Sequence, residues 1–248
     1  MIALISAVLV QSFASSEFRL NEDPALPRDF SREEAWEPVP PDPKHDPLLY
    51  LEATLRFTFP GGDVVSGGPK YGDIFNVGVG GGVQVDYLWK LTRALYLGAY
   101  LEVDVDSFGG KTTTDSFGDT LKPDTMTTFR ILGGIKAREE FAPDGRFFFE
   151  EFLGLGANRY PSVQGTLTSG GTVTTGELFA SGTTVAFDLG LTVGWNVSPQ
   201  VGLFLSVVVE VNGGPGEGKD LVFVSSTGST TPGVMVNAGV NLGVNIRF

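Results

Sequence analysis

The chain has 248 residues, of which 42% are hydrophobic, 19% are charged and 34 are glycine, enough for one domain of ordinary size. It contains no cysteine, which excludes disulfides, thiolate catalysis and cysteine-ligated zinc or iron–sulfur sites. Its formal net charge of -12 opposes non-specific nucleic-acid binding, which needs a basic surface.

Residues 1–14, MIALISAVLVQSFA, form an apolar run ending in Ser12-Phe13-Ala14. That is the pattern of a secretory signal peptide cleaved after Ala14, although no basic residue precedes the run. Residues 15–47 carry Pro24, Pro27, Pro38, Pro40, Pro41, Pro43 and Pro47, with Glu22, Asp23, Asp29, Glu33, Glu34, Glu37, Asp42 and Asp46 among them. Proline removes backbone donors and little apolar surface is available to bury, which predicts a flexible acidic tail.

From Leu48 onward the dominant period is two, the mark of strands whose faces meet different surroundings. Residues 49–59 set Leu49, Leu51, Ala53, Leu55, Phe57 and Phe59 against Tyr50, Glu52, Thr54, Arg56 and Thr58. Residues 75–89 set Phe75, Val77, Val79, Val83, Val85, Tyr87 and Trp89 against Asn76, Gly78, Gly80, Gly82, Gln84 and Asp86. Residues 94–106 alternate Leu95, Leu97, Ala99, Leu101, Val103 and Val105 with Tyr96, Gly98, Tyr100, Glu102, Asp104 and Asp106. At 128–138, Phe129, Ile131, Ile135 and Ala137 oppose Thr128, Arg130, Lys136 and Arg138.

The strand near 146–159 is the least regular. Leu153, Leu155 and Ala157 alternate with Gly154, Gly156 and Asn158, but Glu151 falls on the apolar parity, which predicts a bulge or a position at headgroup level. Residues 184–197, 200–212 and 237–248 restore the pattern; in the second, Val201, Leu203, Leu205, Val207, Val209 and Val211 oppose Gly202, Phe204, Ser206, Val208, Glu210 and Asn212.

No run approaches the roughly 18 apolar residues that a transmembrane helix needs, whereas a closed barrel spans lipid with strands of about 9–11 residues. Lys90–Arg93, Glu139–Gly145 and Asn196–Gln200 read as short turns. Residues 60–72, 107–125, 160–181 and 213–232 read as longer polar loops. Short turns at one end and long loops at the other predict an all-β, eight-stranded antiparallel up-and-down transmembrane β-barrel over 48–248. An even strand number places both ends of the barrel on the turn side, taken as periplasmic, with the long loops extracellular. Two aromatic girdles are expected, Tyr87, Trp89, Trp195 and Phe248 on the turn side, and Phe57, Phe59, Phe75, Phe129 and Tyr160 on the loop side.

The last residues place Val240, Leu242, Val244, Ile246 and Phe248 at alternate positions, with Phe terminal. This segment resembles the C-terminal signal of bacterial outer-membrane barrels, and residues 48–248 resemble the small eight-stranded barrels such as the outer membrane protein A transmembrane domain and the OmpW family. The resemblance implies recognition by the barrel-assembly machinery and residence among outer-membrane lipid and lipopolysaccharide.

The only histidine, His45, lies in the proline-rich tail, which disfavours the barrel enzymes that modify lipids with a fixed imidazole. Charges on the inward parity are more informative. Arg56, Glu102, Arg130, Asp188 and Glu210 fall at mid-to-upper depth, and Glu52, Asp86, Lys136, Arg138, Glu150 and Arg247 fall lower. They read as an ion-pair network filling a narrow lumen, or as a gate opened by breaking the pairs of Arg130 or Arg56. Asp104 and Asp106 lack the spacing of a calcium loop and read as lumen-mouth or loop charges, with divalent bridging to lipopolysaccharide a remote alternative. Gly78, Gly80, Gly81 and Gly82 are not a dinucleotide fingerprint, because no helix follows. The expectation is a non-enzymatic barrel without cofactor or metal, with an envelope-structural or surface-interaction role through four polar loops and an unidentified surface partner. The alternatives are a narrow porin-like channel and, more remotely, a lipid-modifying enzyme.

Overall fold

The computed structural model describes residues 47–92, 94–115, 117–141, 146–221 and 230–248. The signal-peptide reading, the acidic tail with His45, and the turn at Pro143-Asp144-Gly145 lie outside the described residues, Pro47 excepted.

In chain order the elements are β1 (Leu48–Gly61), α1 (Tyr71–Ile74), β2 (Gly78–Lys90), β3 (Leu95–Phe108), β4 (Thr113–Thr114), β5 (Thr120–Pro123) and β6 (Met126–Phe141). There follow β7 (Phe147–Tyr160), β8 (Val163–Ser169), β9 (Thr172–Ala180), β10 (Gly182–Asn196), β11 (Val201–Asn212), β12 (Gly216–Glu217) and β13 (Met235–Arg247). Eight of them close a barrel in the order β1-β13-β11-β10-β7-β6-β3-β2, every pair antiparallel between chain neighbours of the barrel. The seam is β1 against β13, in register from Tyr50 opposite Arg247 to Gly61 opposite Val236. Closure leaves the barrel no free edge.

Alternation decides which way each side chain points. In β11, Gly202, Phe204, Ser206, Val208, Glu210 and Asn212 are buried inside, while Val201, Leu203, Leu205, Val207 and Val209 are exposed outside. The same apolar exterior runs through every barrel strand, from Leu51 and Leu55 on β1 to Leu242, Val244 and Ile246 on β13. A continuous apolar belt around a closed barrel has no place in water and matches a hydrocarbon layer. The barrel is transmembrane. Its strands run from 12 residues in β11 to 16 in β6, longer than the span requires, so they project beyond the lipid.

Glu151 lies on the outer face, opposite Ala137 and Leu191, in an unbroken register. There is no bulge at Glu151; it stands near the turn end of β7, four positions from Phe147. Tyr87, Trp89, Phe141, Phe147, Trp195 and Phe248 are exposed at that end, and the Tyr87 and Trp89 rings meet edge to face at 4.8 Å. At the opposite end Phe59 and Phe129 are exposed and Phe57 is half-buried. Phe75 and Tyr160 are not girdle residues, being 1% and 0% exposed respectively.

Their burial reflects the main departure from expectation. The four long connections are not separate polar loops. Three of them contribute to a second sheet, in the order β12-β9-β8-β5-β4, and the first contributes α1. Gly170 and Gly171, with φ of 54° and 84°, make the tight β8–β9 turn that a side chain would resist. Val64, Tyr71, Ile74, Phe75, Leu178, Phe179 and Leu221 form a core with Phe108, Met126, Tyr160 and Met235. These last four end or begin β3, β6, β7 and β13 on the inward parity, so the core of this cap sits directly on the barrel mouth. Burial pushes the Tyr71 phenol up, and its hydroxyl donates to the Gly233 carbonyl at 3.0 Å.

Candidate functional site

The lumen is filled by side chains in two ionic layers. The layer nearer the cap is built on Arg56 and Arg130. The Arg56 Nη1 lies 3.1 Å from Glu102 Oε1 and 3.0 Å from Asp104 Oδ1. Its Nε lies 3.5 Å from Asp106 Oδ1, and its Nη2 donates to Glu210 Oε1. Arg130 Nη2 donates to Asp104 Oδ2 at 2.7 Å. Arg130 Nη1 is 2.8 Å from Glu210 Oε2, close enough to pair but angled away from a hydrogen bond. Asn237 Nδ2 also donates to Glu210 Oε2, at 3.2 Å.

Nearer the turn end, Lys136 Nζ lies 2.9 Å from Asp86 Oδ2, 3.0 Å from Glu52 Oε2 and 3.6 Å from Glu150 Oε2. Gln84 Nε2 donates to Asp86 Oδ1 at 2.6 Å and to Glu52 Oε2 at 3.3 Å. Arg138 Nη1 donates to Glu150 Oε1 at 2.8 Å and Nη2 to Asn196 Oδ1 at 3.1 Å, while Nε approaches Glu140 Oε1 at 3.4 Å. The Arg138 guanidinium carbon lies 3.7 Å from the Phe148 ring centre and 4.6 Å from that of Tyr50. Two inward aromatics thus hold the cation at the turn-side mouth.

The strands bring these groups together because cross-strand neighbours on one parity share a level. Asp104 faces Arg130 across β3–β6, Glu52 faces Gln84 across β1–β2, and Arg138 faces Glu150 across β6–β7. Inward glycines make the room. A Cβ at Gly82 would collide with the Asp104 carboxylate, and one at Gly154 with the Asp188 carboxylate and the Tyr100 hydroxyl. Gly154→Val should therefore destabilise the barrel by about 1–3 kcal/mol in denaturant titrations of vesicle-folded protein. Gly133→Val, on the outer face where a Cβ meets no close neighbour, should be tolerated. Equal stability of the two variants would contradict the packed lumen.

Arg56, Glu102, Arg130, Glu210, Glu52, Lys136 and Glu150 thus join two compact clusters, and four expected positions differ. Asp104 and Asp106 are not mouth charges but buried partners of Arg56, because the strands and cap extend the lumen past them. Asp188 takes no salt bridge among the described residues and instead accepts from Tyr100 Oη at 2.9 Å. Arg247 sits half-buried at the rim, with no ion pair among the described residues. The contributions of Tyr100, Gln84, Asn237 and the Tyr50–Phe148 clamp were missed; their signal was inward parity, which applies to polar and aromatic residues as it does to charges.

Among the described residues the buried lumen charges comprise the cations Arg56, Arg130, Lys136 and Arg138 against Glu52, Asp86, Glu102, Asp104, Asp106, Glu150, Asp188 and Glu210. Each cation pairs with at least two carboxylates, so loss of one contact does not release it. Among the described residues, no three His, Cys, Asp or Glu side chains are arranged to hold a metal ion.

No family model matches the chain, and no curated protein matches it. Several solved structures are distantly similar. Neisserial surface protein A (NspA) is 14% identical over 81% of this chain and 97% of its own, with a TM-score of 0.41. The attachment invasion locus protein Ail of Yersinia pestis is 13% identical over 82% of this chain and 100% of its own, with a TM-score of 0.42. A major outer membrane protein of Thermus thermophilus is 14% identical over 82% of this chain and 100% of its own, with a TM-score of 0.44. At such identities and TM-scores these likenesses carry no argument, and fold and function alike have to come from the chain's own residues.

Proposed function

We propose that this protein is a sealed outer-membrane barrel that presents a folded cap at the bacterial cell surface, in an envelope-structural or surface-interaction role without catalysis. The observation that carries the reading is the joining of three long connections in one sheet, whose core stands over a lumen already filled with ion pairs. Such an arrangement fits a rigid display platform better than a passage. On this reading the short turns and both ends of the barrel face the periplasm, and the cap faces outward. The belt meets lipid and lipopolysaccharide. Val240, Leu242, Val244, Ile246 and the exposed Phe248 serve as the signal for the barrel-assembly machinery.

The alternative is a narrow channel, favoured by the excess of carboxylates over cations in the lumen. A path opened there would prefer cations.

A chain without cysteine allows a direct test of orientation and assembly. Val173→Cys, 64% exposed on the β8–β9 hairpin, should react with a membrane-impermeant maleimide on intact cells. Ser198→Cys, on a short turn, should not react until the cells are opened. Adding Phe248→Ala to the first variant should lower the surface signal through failed assembly. Labelling of Ser198→Cys alone on intact cells would reverse the orientation, and an unchanged signal with Phe248→Ala would remove the assembly role.

A further inference from the structure

The cap holds a cavity of about 650 Å³, within the ~300–1,000 Å³ range of small-molecule sites. Its apolar lining includes Ile74, Leu121 and Leu167, and its charged lining consists of Asp115, Asp119 and Asp220, with no cationic side chain among the described residues. Leu121 and Leu167 pack on the cap core yet stay only half-buried, so the cavity exposes leucine surface that the fold leaves uncovered.

The carboxylates are partly free. Asp115 spends Oδ1 on its own hairpin, accepting from the Phe117 and Asp119 amides at 2.9 Å. Asp220 spends Oδ2 on the Glu177 amide at 2.8 Å. Asp119 takes no side-chain hydrogen bond or ion pair among the described residues. Among the described residues the three are not placed to chelate a metal ion together, which favours an organic cation over a metal ion. An anion would meet three carboxylates and no cationic lining residue among the described residues.

We infer that this cavity binds a small organic cation, its apolar body against the leucines and its ammonium head beside the carboxylates. The inference rests on the reading that the cap is the working part of the protein, and it names the ligand class that part would take.

The test uses the full-length protein in lipid nanodiscs and three probes with one apolar body: 1-naphthylmethylammonium, 1-naphthalenemethanol and 1-naphthoate. Calorimetry, corrected with empty nanodiscs, should show saturable binding, the cation about tenfold tighter than the alcohol and the anion weakest. Asp119→Asn should weaken the cation about two- to fivefold and leave the alcohol unchanged, as for one half-buried charge still open to solvent. Leu121→Ala should weaken cation and alcohol alike. Retained heat-dependent mobility on gels would show that both variants fold. Equal binding of all three probes, preference for the anion, or no saturable binding by the native protein would overturn the cation site. Because the orientation is read separately from surface labelling, an inward-facing cap and an empty cavity are distinguishable results.

Discussion

Arg56→Ala should destabilise the folded barrel by about 3–5 kcal/mol, the range found when one partner of a buried ionic cluster is removed. Arg56 is the only residue that touches Glu102, Asp104, Asp106 and Glu210 together among the described residues. Its removal leaves Glu102 and Asp106, both nearly fully buried, without a paired cation among the described residues. Arg56→Lys keeps the charge but loses the planar fork that serves several acceptors, so it should fall between the native protein and alanine. Equilibrium folding into vesicles against denaturant measures the loss. Arg247→Ala, at the rim, should stay within about 0.5 kcal/mol of the native protein. A loss below about 1 kcal/mol for Arg56→Ala would mean that the layer nearer the cap does not hold the barrel together.

Phe179→Ala should remove about 3–5 kcal/mol from the cap while leaving the membrane barrel folded. Phe179 is 0% exposed, and its ring lies 6.2 Å from that of Tyr71 and 6.3 Å from that of Phe75. It therefore ties β9 to α1 and to the residue that follows α1. Hydrogen exchange separates the two layers of structure, since local opening is reported amide by amide. Amides of β8 and β9 should lose protection, and those of β10 and β11 should keep it. Parallel loss in both would show that cap and barrel unfold as one unit.

The barrel was legible in the sequence because its physics is periodic. One face of each strand meets lipid and the other a crowded lumen, and a period of two is what that contrast writes into residues 49–59 or 200–212. The inward charges were legible for the same reason, down to the grouping of Arg56 with Glu102 and Glu210. The cap was not, because its apolar residues are scattered: Val64 and Ile74 belong to the first long connection, Phe179 to the third and Leu221 to the fourth, and they make no pattern until the fold assembles them. A usable signal did exist at 163–180. Val163, Gly165 and Leu167 alternate with Gln164, Thr166 and Thr168, and Gly170-Gly171 marks a hairpin turn between threonine-rich strands. The same oversight moved Asp104 and Asp106 to the mouth, since a lumen roofed by a cap reaches further than one ending at the lipid.

If ion pairs and a folded cap together seal this barrel, single-channel recording of the refolded protein in a planar bilayer is the most direct test. The native protein should be silent across the physiological voltage range. Arg130→Ala, which removes a cation from between Asp104 and Glu210, should show brief cation-selective openings. Steady conductance by the native protein would contradict the sealed barrel and make the carboxylate-rich lumen a cation pathway.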